Sequence, residues 1–186
     1  MDALELMLTR ESAMKLEAPG PSPEELDRII ASAVRAPDHG RLRPWHFVVI
    51  NEDRRADFGA LMAESLRRRV PTVSDAELQR ERDKAFRSPV IVAVAAKLQR
   101  GHKIPEIEQI ASASAAAQTI MLAAPALGYA VMWKTGAPAY DPGVKAALGL
   151  QADDEIIGFM YIGTRTGGPS PLPRPDPKDF VTTWAG

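Results

Sequence analysis

Apolar residues recur along the chain with two different periods, and these periods predict alternating helices and strands. From Leu26 to Val34 they return at every third or fourth position, which is the spacing of an amphipathic helix. Ser22 as the capping residue, Pro23 in the first turn and Glu25 as the reciprocal acceptor predict where this helix begins.

The same criteria predict the other elements of the chain. They give helices over 3–10, 53–69, 75–85, 105–127 and 141–149, and strands over 46–51, 90–96, 129–134 and 155–162. The stretch 90–96 is continuously apolar, which is typical of a strand covered on both faces. The helix 105–127 is rich in alanine, so we expect it in the middle of the structure. Alternation of the two element types predicts a layered α/β or α+β fold with helices on both faces of a sheet.

The tail of the chain, 163–186, is rich in proline and glycine and has too few apolar residues for a core of its own. It ends in the strand-like sequence FVTTW, from Phe180 to Trp184. Because a strand without neighbours tends to join an exposed sheet edge, we expect this segment to cross to a second subunit. We therefore treat 1–186 as one domain whose segment 163–186 is an extended arm.

Composition narrows the possible functions. The 186 residues include 23 basic and 24 acidic side chains, and the formal net charge of -1 predicts no general attraction to nucleic acid or acidic membranes. There are no cysteines, which excludes disulfides, thiolate catalysis and zinc-thiolate sites. No apolar run could span a bilayer and the N-terminus does not resemble a signal peptide, so we expect a soluble, cytoplasmic protein.

Several familiar motifs are absent. The chain has no G-x-G-x-x-G, no G-x-x-x-x-G-K-[ST] and no G-x-S-x-G. The histidines His39, His46 and His102 do not have the spacing of metal ligands, so no metal site is predicted. The sequence identifies no catalytic acid or base.

Three polar clusters remain as candidates for binding a ligand. In the first, Arg10, Glu11 and Ser12 follow the first predicted helix. A guanidinium and a hydroxyl within one turn could share a phosphate, because arginine offers a planar fork of donors. Taken alone, Arg10 is also explained as a cation at a helix C-terminus.

The second cluster is the loop 35–45, which holds three arginines, a histidine and a tryptophan between a helix and a strand. Prolines and a glycine restrict the loop, so Arg35 and His39 could be placed around a planar polar ring. A solvated basic loop with Trp45 in the core is the alternative interpretation.

The third cluster, Trp133, Lys134 and Thr135, lies at the end of a predicted strand, where sites of layered α/β proteins tend to occur. Trp133 could pack on a flat ring whose polar atoms Lys134 and Thr135 bind. A core tryptophan beside a surface lysine is the alternative.

Taken together, these segments resemble the nitroreductase family, in particular its minimal single-domain NAD(P)H nitroreductases. The opening D-A-L-E-L-x-L-x-R-x-S, the loop R-A-P-D-H-x-x-x-x-P-W-H-F, the segment G-x-x-x-x-W-[RK]-[ST]-G-A and the closing G-F-x-Y-x-G-T occur in the family's order and spacing. The resemblance covers nearly the whole chain, from Met1 to about Thr182.

The resemblance implies an α+β fold, a three-layer α/β/α sandwich whose central mixed sheet is flanked by helices and whose C-terminal strand is exchanged between subunits. It also implies a homodimer with two FMN molecules at the interface. By match, the implied flavin-binding positions are Arg10, Glu11, Ser12, Arg35, His39, Trp133, Lys134 and Thr135. A segment linked in such proteins to NAD(P)H matches Ala123, Ala124, Pro125, Ala126, Leu127 and Gly128.

The implied activity is transfer of electrons from NAD(P)H through flavin N5 to a nitro compound or a similar small acceptor, in ping-pong fashion. Lys134 and Arg35 would stabilise negative charge on the reduced ring. Three alternatives stay open: the same scaffold acting on enones, aldehydes or quinones, a non-catalytic FMN-binding protein, and a helical interaction module without a cofactor.

Three departures distinguish the chain from the family's pattern. Glu11 stands where arginine is usual, and its carboxylate would repel a phosphate unless it points away or pairs with a neighbour. Lys134 and Thr135 replace the usual arginine and serine, so the hydroxyl is kept but bidentate geometry is lost. The region between Asp53 and Pro89 is short and charged where larger members carry extra helices, which predicts an open, permissive cleft.

Overall fold

The computed structural model describes residues 2–168 and 173–185. The α-helices in these ranges are α1 (Ala3–Thr9), α2 (Pro23–Ala33), α3 (Arg55–Arg69), α4 (Asp75–Asp83), α5 (Glu106–Ala126) and α6 (Pro142–Ala147). The strands are β1 (Leu16–Glu17), β2 (Trp45–Ile50), β3 (Val90–Ala96), β4 (Ala130–Lys134) and β5 (Glu155–Arg165). Short 3-10 turns lie at His39–Arg41, Glu52–Arg54, Lys84–Phe86, Ala137–Tyr140 and Pro177–Phe180. The elements predicted between 3 and 162 are confirmed, whereas β1 was not predicted.

Helix ends follow the local chemistry of the chain. The Ser22 hydroxyl accepts a hydrogen bond from the amide of Glu25 at 3.2 Å, and the Glu25 carboxylate accepts one from the amide of Ser22 at 2.9 Å. Asp2 caps α1 by accepting two first-turn amides. After α5, Gly128 adopts a φ of 91°, a left-handed conformation that favours glycine. These contacts use backbone groups that helix ends otherwise leave without partners.

The sheet is organised around β5. Strands β3 and β4 lie on either side of β5, β2 pairs with β3, and the two residues of β1 pair with the last residues of β5. All of these pairings between described strands are antiparallel, so the expectation of a mixed sheet is wrong. The physical reason lies in the strand order. Strands β3 and β4 are connected through α5 and run in the same direction, but they are not neighbours, because β5 lies between them and runs the opposite way.

Helices cover both faces of the sheet, which confirms the three-layer arrangement. Because alternate residues of a strand point to opposite faces, each strand contributes to two cores. The face that packs on α2 and α5 buries Val92, Val94, Val131, Met160 and Ile162. The face that packs on α3 and α6 buries Ile91, Ala93, Met132, Phe159 and Tyr161.

Helix α5 packs closely on the sheet and on α2, as its alanine content predicts. Ala116, Ala117 and Ala124 are fully buried in the core that α2 shares. Across residues 2–168 and 173–185, no helix has both the length and the apolar character needed to cross a bilayer.

The C-terminal arm lies against the end of α1. The guanidinium of Arg174 donates to the carbonyl oxygens of Arg10 at 2.8 Å and of Thr9 at 3.1 Å. Val181 and Trp184, further along the arm, are 70% and 90% exposed and form no strand within this subunit. Exchange of this segment with a second subunit therefore stays a prediction.

Candidate functional site

The first sequence cluster lines a cavity of about 300 Å³ where α1 ends. Arg10 leaves helical geometry with φ -51° and ψ 131°, so the chain turns outward there. The arm closes the other side of the cavity through Arg174, a residue that sequence analysis missed. We call this cavity the α1 notch, and its lining residues are Arg10, Glu11, Ser12, Met14, Pro173, Arg174 and Pro175.

The Glu11 carboxylate is neutralised by a partner that comes from another element. The guanidinium of Arg165, the last residue of β5, forms an ion pair with it. Among the described residues that line the α1 notch, Glu11 is the only acid. Arg10 and Arg174 therefore leave the notch with an excess of positive charge.

The α1 notch adjoins strand β4. Directly after Ser12, the backbone amide of Ala13 donates to the carbonyl oxygen of Val131 at 3.0 Å. The chain leaving the notch therefore runs beside β4. Lys134 lies three residues beyond Val131, which is roughly 10 Å along an extended strand. The first and third sequence clusters are thus neighbours in the fold.

A second cavity, of about 320 Å³, opens where β4 ends. Lys134 and Thr135 line it, as does Gly136. Helix α3, the end of α4 with the turn that follows it, and β5 supply most of the other walls. We call it the strand-end cavity, and these walls comprise Met62, Leu66, Arg69, Glu81, Lys84, Arg87, Phe159 and Tyr161.

Tyr161 combines a buried ring with a polar end at the strand-end cavity. Burial raises the pKa of Tyr161 to about 12, and the positive charge of Arg87 acts in the opposite direction. The phenol therefore stays protonated at neutral pH and can donate a hydrogen bond.

Trp133 lies on the other face of the sheet from Lys134. Its indole packs with the core of α2 and α5, and its Nε1 donates to the carbonyl oxygen of Ile157 at 3.2 Å. A Cβ atom at Gly158 would lie 2.1 Å from that nitrogen, so glycine makes room for the indole. Trp133 does not line the strand-end cavity, and its role as a flavin contact stays a prediction.

The second sequence cluster lies near the start of α5. In the turn His39–Arg41, Nδ1 of His39 is 2.5 Å from Oε2 of Glu108. Ser112 donates to the carbonyl oxygen of Pro37 at 2.6 Å, which fastens the loop to the same helix. Arg35 is exposed just beyond α2. Neither Arg35 nor His39 lines the α1 notch or the strand-end cavity.

The segment matched to NAD(P)H binding ends α5. The carbonyl oxygen of Ala124 accepts hydrogen bonds from the amides of Leu127 and Tyr129, each at 3.0 Å. These contacts explain the segment as a helix terminus. At about 1.5 Å per residue, the two ends of α5 lie roughly 30 Å apart, so His39 is remote from it. NAD(P)H binding by Ala123–Gly128 stays a prediction.

Sequence comparison places the chain among reductase relatives. The sequence profile of the Nitroreductase family matches residues 7–164. The Escherichia coli K12 protein named "Putative NAD(P)H nitroreductase YdjA" is 39% identical over 184 residues, covering 98% of this chain and 99% of its own length. A Haemophilus influenzae protein named "Putative NAD(P)H nitroreductase" is 35% identical over 187 residues, covering 98% of this chain and 99% of its own length.

Solved structures share the fold. A nitroreductase-like family protein from Bacillus cereus superposes with a TM-score of 0.85 at 19% identity, covering 100% of this chain and 97% of its own. A nitroreductase with bound FMN from Bacteroides fragilis gives a TM-score of 0.75 at 18% identity, with 99% coverage of both chains. At these identities the structural likeness concerns the fold.

Proposed function

Because the chain belongs to the nitroreductase family, we propose that it is an FMN-dependent oxidoreductase that moves electrons from NAD(P)H to nitro compounds or similar small organic acceptors. The bound FMN of a structural neighbour and the names of the curated relatives support these cofactors. When bound, FMN supplies the redox chemistry by taking a hydride at N5 and passing electrons on. If NAD(P)H and the acceptor use one pocket in turn, the kinetics should be ping-pong. A cytoplasmic location is also part of the proposal.

The α1 notch is the observation that carries this proposal, because its donors fit a phosphate. Arg10 and Arg174 supply guanidinium groups and Ser12 a hydroxyl, all in one small cavity. Charge-assisted hydrogen bonds from arginine are among the strongest that hold a phosphate. The ion pair with Arg165 removes the repulsion expected from Glu11.

Lys134 and Thr135 suit the polar edge of the ring. They lie roughly 10 Å along β4 from the Val131 carbonyl oxygen that the amide of Ala13 contacts. The α1 notch could therefore hold the phosphate of FMN while Lys134 and Thr135 contact its ring, since a flexible ribityl chain joins the two. Lys134 would stabilise negative charge that develops on the ring during reduction. The Thr135 hydroxyl can donate to or accept from a ring heteroatom.

A homodimer would bring the remaining candidates to the same ligand. The apolar side chains of α1 face outward, with Leu4, Met7 and Leu8 exposed by 64%, 57% and 67%. An exposed apolar stripe of this kind marks an interface. In a two-fold dimer both subunits use the same surface, so the loop with Arg35 and His39 of one copy could complete the notch of the other.

An absorbance spectrum before and after anaerobic NADPH tests the proposal directly. We expect flavin absorbance that bleaches with NADPH and returns when a nitroarene is added. Arg10→Ala and Arg174→Ala should each weaken FMN retention by about tenfold or more, whereas Arg67→Ala, whose guanidinium pairs with Glu64, should retain it. Failure to take up FMN would overturn the proposal, and bound flavin that NAD(P)H does not bleach would favour a carrier. An acceptor panel separates nitro compounds from enones and quinones.

A further inference from the structure

The strand-end cavity concentrates positive charge in a chain that has almost no net charge. Four cationic side chains line it, Arg69, Lys84, Arg87 and Lys134, against the single carboxylate of Glu81. That carboxylate is already ion-paired with Lys84. The formal charge of the whole chain is -1, so this excess is local rather than a general property of the surface.

Three of these cations have no counter-charge in the part of the chain that the structure describes. The side chains of Arg69, Arg87 and Lys134 make no hydrogen bond or ion pair there. The preceding residues of α3 differ, since Arg67 pairs with Glu64 and Arg68 with Asp141. A concave wall with one sign of charge focuses its field on whatever enters the cavity.

The interior of the cavity is apolar and carries one further donor. Met62, Leu66 and Phe159 line it beside the ring of Tyr161. Tyr161 is 6% exposed, and its hydroxyl has no hydrogen-bond partner among the described residues. In the described chain, every fully buried side-chain oxygen has a hydrogen-bond partner. The Tyr161 hydroxyl has none, so it is not fully buried and faces the cavity that Tyr161 lines. Apolar walls with a few convergent polar groups are typical of small-molecule sites.

We propose that the strand-end cavity binds a small aromatic carboxylate, whose ring packs on the apolar wall and whose anionic group faces Arg87. Arginine matches a carboxylate with two parallel hydrogen bonds, and a phenol can donate a third. Phe159 and Met62 provide the contact surface for an aromatic body. The further statement that such carboxylates are the preferred electron acceptors rests on the proposed function. As a binding site, the cavity stands on its own geometry.

Calorimetric titration with para-nitrobenzoate and the neutral para-nitrobenzyl alcohol tests the inference, using protein with and without added FMN. We expect the carboxylate to bind about tenfold more tightly than the alcohol. Arg87→Gln and, separately, Arg69→Gln should reduce that preference several-fold. Arg67→Gln is the same substitution on the same helix as Arg69→Gln, but outside the cavity, and it should leave the preference unchanged. The circular dichroism spectrum of each variant reports whether it is folded.

Each result decides the question. Equal affinity of the wild-type protein for the two compounds would overturn the inference, as would an unchanged preference in both cavity variants when they are folded. Carboxylate binding that added FMN abolishes would also overturn it, because the cavity would then belong to the cofactor. Protein that takes up no FMN but still prefers the carboxylate would sink the proposed function and leave this site in place.

Discussion

The carboxylate of Glu11 is ion-paired with the guanidinium of Arg165, so the acidic residue of the α1 notch is neutralised from the end of β5. The two residues are 154 positions apart, and the pairing of β1 with β5 brings them together. Both side chains are mostly buried, with 29% and 16% exposed for Arg165 and Glu11. The pair allows a carboxylate to stand where a phosphate is proposed to bind.

Removing the positive partner should weaken FMN binding. We expect Arg165→Gln to raise the FMN dissociation constant by about tenfold, because the guanidinium that offsets the negative charge of Glu11 beside the phosphate is then lost. The double variant with Glu11→Gln should recover most of the loss. Titration of flavin fluorescence measures both. If the single and double variants bind FMN equally weakly, Arg165 does not act through Glu11.

Gly158 is required by the position of Trp133. A Cβ at this position would lie 2.1 Å from Nε1 of the indole and 2.9 Å from the carbonyl oxygen of Lys134. Gly158→Ala should therefore shift the indole and the end of β4, at a cost of about 1–3 kcal/mol in unfolding free energy. Urea unfolding followed by tryptophan fluorescence checks this. Gly168→Ala, where nothing lies within 4 Å, is the matched control, and equal stability of the two variants would contradict the account.

The secondary structure was predictable because its signals are local. Ser22, Pro23 and Glu25 are neighbours in the chain, and the structure has the capping box they predict. Strand β3 (Val90–Ala96) has the predicted bounds, since a continuous apolar run between polar segments depends on no distant partner.

The order of strands and the site partners could not be predicted, because they depend on distant contacts. Nothing in the local pattern shows that β5 inserts between β3 and β4. Arg174 lies in a proline-rich tail without periodicity, and its contact with Arg10 spans 164 positions. The family resemblance indicated Arg10 and Ser12, but the arginines that complete or neutralise the notch became visible only in the fold.

Asp38 holds the basic loop in a left-handed backbone conformation. Its carboxylate accepts hydrogen bonds from the amides of Leu42 at 3.2 Å and of Arg43 at 2.8 Å. Arg41 and Arg43 have φ values of 57° and 50°, which cost residues with a side chain about 1 kcal/mol or more each. Such strain persists only where surrounding contacts enforce it.

Asp38→Ala should release the loop. We expect faster amide hydrogen exchange across 37–43 and, if the loop contacts flavin in a dimer, weaker FMN binding, because the two enforcing hydrogen bonds are lost. Hydrogen-exchange mass spectrometry measures the first effect and flavin titration the second. Asp53→Ala, at an exposed position in the next connection, serves as the control. If the amide hydrogen exchange of 37–43 is the same in Asp38→Ala as in Asp53→Ala, Asp38 does not hold the loop in its conformation.

Asp141 joins helices α3 and α6 through a buried carboxylate. It accepts hydrogen bonds from Ser65 at 2.9 Å, from Arg68 at 2.8 Å and from the amide of Gly143 at 2.7 Å. Asparagine at this position keeps one acceptor oxygen, but its NH2 group cannot accept the hydrogen bonds that the second carboxylate oxygen accepts, and the ion pair with Arg68 is lost. We therefore expect Asp141→Asn to lower the unfolding free energy by about 1–3 kcal/mol at neutral pH.

The same carboxylate should make stability depend on pH in the acid range. Burial alone would raise the pKa of Asp141, but hydrogen bonds from Arg68, Ser65 and the amide of Val144 outweigh it and hold the pKa below its ordinary value. A lowered pKa in the folded state means that the stabilisation is fully present above the unfolded pKa of about 3.9 and is lost as the pH falls through the folded value. Urea unfolding at a series of pH values should show a smaller acid loss in Asp141→Asn than in the wild type, with exposed Asp27→Asn as the control. Wild-type and Asp141→Asn curves that run parallel below about pH 4 would show that this carboxylate does not set the acid limit.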